Sequence, residues 1–225
     1  MKKNKNASRN LVLFTLAILI LFISIFVLNQ MTKKIDNKTT MTNAPDISAQ
    51  PVMGNKDAKV TIVEFGDYKC PSCKAWGEQI LPQLTKEYIT PGKAKFSYIN
   101  VLFHGEESKI GALAGESVFA QNPEVFWVIH KAIFNAQPTV NHDSLWVTPA
   151  KMLEIAKIQA PSIDLLKLED DIKNQRTLPQ VKVDEKLVQQ FNVKQTPTIM
   201  INDVAITNPF DYKAIVETIE KELKN

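Results

Sequence analysis

The chain's two cysteines fall in one C-x-x-C unit, Cys70-Pro71-Ser72-Cys73, between an apolar strand-like run and a helix-like run. The stretch VTIVEF (Val60 to Phe65) is β-branched and nearly continuous in apolar character, which predicts a buried strand of a parallel or mixed sheet. Gly66 to Lys69 reads as a short loop. From Pro71 to about Tyr88 the spacing predicts a helix, with proline at the favoured first position. Pro82 lies inside that span and predicts a kink. A thiolate at Cys70 would then meet the unpaired N–H groups and the positive dipole end of a helix. Such positions lower a cysteine pKa from ~8.5 to between ~3.5 and ~7. Cys73, one turn later, can attack a mixed disulfide on Cys70 and release its partner. Cys70 is therefore the candidate nucleophile and Cys73 the resolving thiol. Lys69 adds a positive charge nearby, and Asp67 opposes it.

Two structural readings compete with the redox one. A staple closing four residues restrains the unfolded chain by only ~2 kcal/mol, against ~3 for fifteen residues. A zinc site would need histidines, but His104, His130 and His142 lack the short spacing of finger-type sites. The bland reading of each is a surface or partly satisfied side chain.

Downstream, Lys95 to Phe103 predicts a second strand. Helices follow over 110–121, 124–134, 149–159, 162–174 and 178–191. Thr198 to Ile201 predicts a short buried strand, Val204 to Thr207 a hairpin partner, and Phe210 to Leu223 a terminal amphipathic helix. This is an α/β plan with a helical insertion at about 104–190. Two further features add to it. Thr196-Pro197 directly precedes a buried strand, which suits a cis peptide or a plain strand-edge proline. Glu64 interrupts an apolar strand, so burial should raise its pKa and fit it to take a proton from Cys73. The alternative is a glutamate on a half-exposed strand face.

The N-terminus is organised differently. Leu11 to Leu28 is uncharged, with Thr15 and Ser24 its only polar side chains. As a helix it would span about 27 Å, close to the ~30 Å hydrocarbon core. Residues 1–10 carry Lys2, Lys3, Lys5 and Arg9 and no acid, which places that flank in the cytoplasm and the remainder outside. A cleaved signal peptide is the rival, but no small-x-small site ends the run. Residues 29–50 read as a flexible linker, with the folded domain over 51–225. Four of the 27 basic residues belong to the flank; without them the 24 acids outnumber the bases by one. That leaves no basic surface for nucleic acid.

The stretch VEFGDYKCPSC (Val63 to Cys73), with Thr196-Pro197 and the helical block, resembles the DsbA-like branch of the thioredoxin superfamily. It is especially similar to the membrane-anchored thiol-disulfide oxidases of Gram-positive bacteria, the BdbD type. The resemblance covers about 51–225 and implies a thioredoxin-like α/β fold. It implies an exposed nucleophile at Cys70, a buried partner at Cys73, a buried acid at Glu64, and a cis-proline at Pro197 with Thr196 where substrate backbone pairs. It implies a redox-active disulfide with no other required cofactor, passed to unfolded secreted proteins with free thiols. A quinone-coupled membrane partner of the DsbB/BdbC type then restores it. Ser72 stands where the Gram-negative enzymes carry a histidine that helps stabilise the thiolate. Reductase or isomerase activity on the same fold, or non-catalytic binding, are the alternatives. Some relatives hold a calcium ion away from the cysteines. Gln50, Glu116, which is odd in the small-residue helix IGALAGESVFA, and Asp184 are the candidate ligands, with three unrelated surface groups the alternative reading.

Overall fold

The computed structural model describes residues 13–25 and 38–225. The chain divides into two compact units, residues 1–37 and 38–225. In the first, helix α1 covers residues 13–25 with exposed side chains. The membrane-spanning reading covers 11–28, and its ends lie outside the described residues. Among the described residues no helix is long and apolar enough to cross a membrane.

The second unit is built on a six-stranded sheet of order β1-β6-β5-β3-β4-β2. Its strands are β1 (Lys38–Thr40), β2 (Val52–Met53), β3 (Val60–Gly66), β4 (Ala94–Asn100), β5 (Thr198–Ile201) and β6 (Val204–Ile206). β3 lies parallel to β4 and antiparallel to β5. Both of its edges are paired, and all its residues but Thr61 are buried. That is why its sequence is apolar rather than alternating.

Helix α2 (Pro71–Gln79) starts on Pro71, with Cys70 as its N-cap. It stops at Ile80, and α3 (Leu81–Leu84) resumes with Pro82 in its first turn, followed by a π-helical turn over Thr85–Ile89. Pro82 has no N–H to continue the ladder, so one predicted helix becomes three short pieces. β4 ends at Asn100 rather than Phe103. The N–H groups of Asn100 and Phe103 go to the carboxylates of Asp184 and Asp67, 3.0 and 3.1 Å away.

The helices between β4 and β5 are α4 (Glu106–Gln121), α5 (Phe126–Asn135), α6 (Pro149–Gln159), α7 (Leu165–Lys173) and α8 (Leu178–Gln190). Their shared core gathers Ile133, Val147, Met152, Leu168 and Ile172 around Tyr68 and Tyr98. Helix α9 (Tyr212–Lys224) closes the chain and packs Ile215 and Ile219 against Val60, Ile62 and Ile199.

The linker reading of 29–50 meets a difference here, because Lys38–Thr40 pairs antiparallel with β6 and Gln50 is buried. The folded unit begins at Lys38. A short Lys-Thr-Thr edge strand has no apolar period to reveal it; the open edge of β6 recruits it.

Tyr68, in the loop after β3, lies flat on α4. A Cβ on Gly111 would stand 3.1 Å from the Tyr68 Cβ, and one on Gly115 would stand 3.2 Å from its hydroxyl. Two glycines four apart thus form a seat for one ring. Gly111→Leu should lower stability by about 1–3 kcal/mol through overpacking, read as a fall in the thermal midpoint.

Candidate active site

The Cys70-Pro71-Ser72-Cys73 unit sits where β3 ends and α2 begins. Both cysteines are free thiols. Cys70 is 7% exposed and Cys73 1%, so Cys70 is more covered than an open nucleophile and Cys73 is sealed. The Cys70 Sγ lies 3.5 Å from the carbonyl oxygen of Thr196, and the Thr196–Pro197 bond is cis. The hydrogen bond from the Cys73 thiol brings the Cys70 pKa down to about 5 against the opposing effect of burial. Thr196 and the N–H groups of Cys73 and Ser72 add to this. Burial drives the Cys73 thiol the other way, well above its ordinary value, and the bond it gives Cys70 adds to the rise. One thiol is thus prepared as a thiolate and the other held protonated.

Glu64 is 1% exposed. Burial pushes its carboxyl well above the usual range, and the charge of Cys70 pushes it further.

Lys69 does not serve the thiolate. Its ammonium bonds both oxygens of Glu107, at 2.7 and 2.8 Å, and the Ser144 carbonyl. Glu107 also accepts the N–H groups of Trp146 and Val147. These partners outweigh burial and hold its pKa below the ordinary value. The opposing role given to Asp67 changes too. Its carboxylate takes the backbone N–H of Lys69, not the ammonium, along with Phe103 N–H, His104 Nδ1 and the Ser108 hydroxyl. The Asp67 N–H lies 3.5 Å from the Cys73 Sγ.

Gln137 completes the loop's support. Its side-chain amide donates to the carbonyls of Tyr68 and Cys70, at 2.8 and 3.1 Å. No local pattern points to it, because it lies in the turn after α5. The buried His130, bonded to the Tyr68 hydroxyl at 3.0 Å, is kept neutral by burial, which lowers its pKa to about 3.

The candidate metal residues form one network. Gln50 donates to Asp184 at 2.7 Å, and Asn100 donates to Asp184 at 2.7 Å and to Glu116 at 3.1 Å. Asn100 is the member that the sequence reading missed; its only signal is an amide at the end of an apolar strand. Its own oxygen is buried without a donor. Burial, with Asp184 close by, lifts Glu116 to about 8, and burial lifts Asp184 to about 6. Among the described residues there is no group of three or more His, Cys, Asp or Glu side chains placed to hold a metal. This network offers two carboxylates and two amide oxygens instead. An orphaned oxygen beside two buried carboxylates fits a hard cation that takes oxygen ligands.

Comparison with known families places residues 47–221 in the family described as Thioredoxin. The chain belongs to the thioredoxin family. Within that family it is 44% identical over 194 residues to disulfide bond formation protein D of Bacillus subtilis, covering 84% of this chain and 86% of the relative. It is 35% identical over 177 residues to a probable disulfide bond formation protein D of Bacillus anthracis, covering 79% and 80%. Among solved structures, oxidised BdbD from Bacillus subtilis superposes with a TM-score of 0.79, over 83% of this chain and 99% of that one. Chlamydia trachomatis DsbA, 22% identical, shares the fold with a TM-score of 0.68 over 79% and 93%. With an acidic thiol on a helix N-cap and a sealed partner one turn on, this thioredoxin-family chain is a thiol-disulfide oxidoreductase.

Proposed function

We propose that the chain is a membrane-anchored, extracytoplasmic disulfide oxidase, with residues 11–28 as its anchor. The observation that carries the direction is the contrast between Cys70, brought down to about 5, and Cys73, held up by burial. A stabilised thiolate is a good leaving group and favours the reduced form of the pair, which makes its disulfide oxidising.

In the forward reaction a substrate thiolate attacks Cys70 Sγ, and the Cys70–Cys73 bond breaks. The electron pair goes to Cys73, which Glu64 protonates. A second substrate thiolate then attacks the substrate sulfur, expelling Cys70 as a thiolate. Two electrons have moved to the pair, and the substrate holds the disulfide. Thr196 and the cis Pro197 lie beside Cys70, where substrate backbone can pair. Substrates are unfolded secreted or membrane proteins with free thiols, and a quinone-coupled membrane partner of the DsbB/BdbC type takes the electrons on. Mixing the oxidised chain with a reduced, unfolded protein should remove that protein's thiols in proportion to Cys70–Cys73 consumed. If thiols persist while the chain readily reduces disulfides, the chain is a reductase.

Gln50, Asn100, Glu116 and Asp184 fit a structural calcium ion, which would supply the positive charge those carboxylates lack. Calcium at about a hundredfold excess over its Kd should raise the melting midpoint over chelator-treated protein by about 5 °C. Glu116→Gln should remove most of that rise, and an unchanged midpoint in the wild type would remove calcium from the account.

A further inference from the structure

Glu64 and Tyr98 are register partners on the parallel strands β3 and β4, so their side chains leave the sheet on the same face. Each carries a buried oxygen with no hydrogen-bond partner, the Glu64 Oε1 and the Tyr98 hydroxyl. Buried orphans are rare in folded proteins because each forfeits its bonds to water. Here the two occur together. They lie 2.9 and 3.0 Å from one point, the place where a side chain on Gly66 would begin. The Tyr98 ring closes on that point to 2.4 Å, so the missing side chain lets the tyrosine pack against the strand and brings its hydroxyl toward the carboxylate, and one water molecule between the two oxygens would satisfy both.

Cys73 faces the same two groups: its hydrogen bond favours the Glu64 carboxylate, and a charge formed on it would oppose ionisation of Tyr98. The remaining titratable neighbours are few. Cys70 and Tyr68 face Glu64. Tyr68 and the fully hydrogen-bonded Asp67 face Tyr98, with the His130 ring 4.5 Å from the Tyr98 ring. None of these is a cation at neutral pH, so a charge on Glu64 must be met by hydrogen bonds.

We propose that Tyr98 is a positioning residue for proton transfer at Cys73: through one water beside Gly66 its hydroxyl donates to Glu64 Oε1 and holds the carboxylate form. The proposal rests on Glu64 exchanging a proton with Cys73, and it applies in both directions of exchange. When Cys73 resolves a mixed disulfide on Cys70, its S–H proton passes to the Glu64 carboxylate. Its sulfur then bonds to Cys70 Sγ, the mixed S–S bond breaks, and the departing thiolate takes a proton from solvent. Without the Tyr98 donor the Glu64 carboxylate is harder to form, so this step slows and needs higher pH.

The test is rapid-quench measurement of glutathione release from the Cys70–glutathione mixed disulfide of the full chain, from pH 5 to pH 10. The variants are Tyr98→Phe, Glu64→Gln and the double variant. Losing a hydrogen bond to a charged group should make Tyr98→Phe about tenfold slower at neutral pH and move the rising limb up by about one pH unit. The double variant should match Glu64→Gln alone. Two results would overturn the proposal: a wild-type limb in Tyr98→Phe, or the same slowing by Tyr98→Phe in the Glu64→Gln background, which marks a packing role. A wild type whose release rate matches Glu64→Gln across the pH range would instead remove the Glu64 role beneath it. The oxidase reading is judged separately, by the thiol-consumption assay on the unmodified chain.

Discussion

Cys70→Ser abolishes disulfide transfer, by at least a thousandfold in the rate at which a reduced protein loses its thiols, since nucleophile removal leaves only background exchange. Cys73→Ser behaves differently. Its Cys70 keeps a thiolate, but no second thiol of the chain remains to resolve a mixed disulfide formed there. Offered a protein that carries a disulfide, that thiolate should attack one sulfur, expel the other as a thiolate and leave a covalent complex, seen as a higher band on a non-reducing gel and lost on adding reductant. The largest single influence on Cys70 is the hydrogen bond from Cys73, so removing that donor with Cys73→Ala should raise the Cys70 pKa. Absorbance of the thiolate near 240 nm reads this directly. A Cys70→Ser protein that still consumes thiols would end the assignment.

The second large expectation concerns potential. A pKa of about 5 at Cys70 lies between those of thioredoxin, ~7, and DsbA, ~3.5. The pair should therefore sit between their potentials of about −270 and about −120 mV. Proton stoichiometry sharpens this. Cys73 stays protonated, because burial raises it well above its ordinary value. Between pH 5 and neutrality, reduction thus takes up one proton for two electrons, and the potential should fall by about 30 mV per pH unit. Below the Cys70 value, a second proton is taken up and the slope should double to about 60 mV. The same ionisation fixes a stability trend. A depressed pKa favours the reduced fold fully above the unfolded value of ~8.5, and that advantage is lost as pH falls through about 5. Equilibration with glutathione across this range would show the break, and a uniform slope would contradict the acidic Cys70.

Much of this is legible in the chain itself, where local chemistry decides. The strand Val60–Gly66 shows because burial on both faces demands a continuous apolar run, and the helix Pro149–Gln159 shows because Pro149 marks its start. Glu116 stands out as a charge among small residues. What stays hidden depends on partners far along the chain. Lys69 finds Glu107 thirty-eight residues away, and nothing near either announces the pair. The end of β4 is set by Asp184 and Asp67, whose carboxylates take N–H groups that a ladder would otherwise use. Asn100 is masked by the strand it terminates, and Lys38–Thr40 by the absence of any apolar period.

The amide of Gln137 bears on how such a protein can be altered. One side chain from the helical layer holds the carbonyls of Tyr68 and Cys70 together, so the shape of the redox loop is written partly in a segment sixty-seven residues downstream. The helical layer is therefore not a removable module. A trimmed core lacking it would keep the sheet and both sulfurs, yet its loop would be free to relax. Moving the eleven residues from Val63 to Cys73 into another scaffold would carry the motif across without the grip that shapes it.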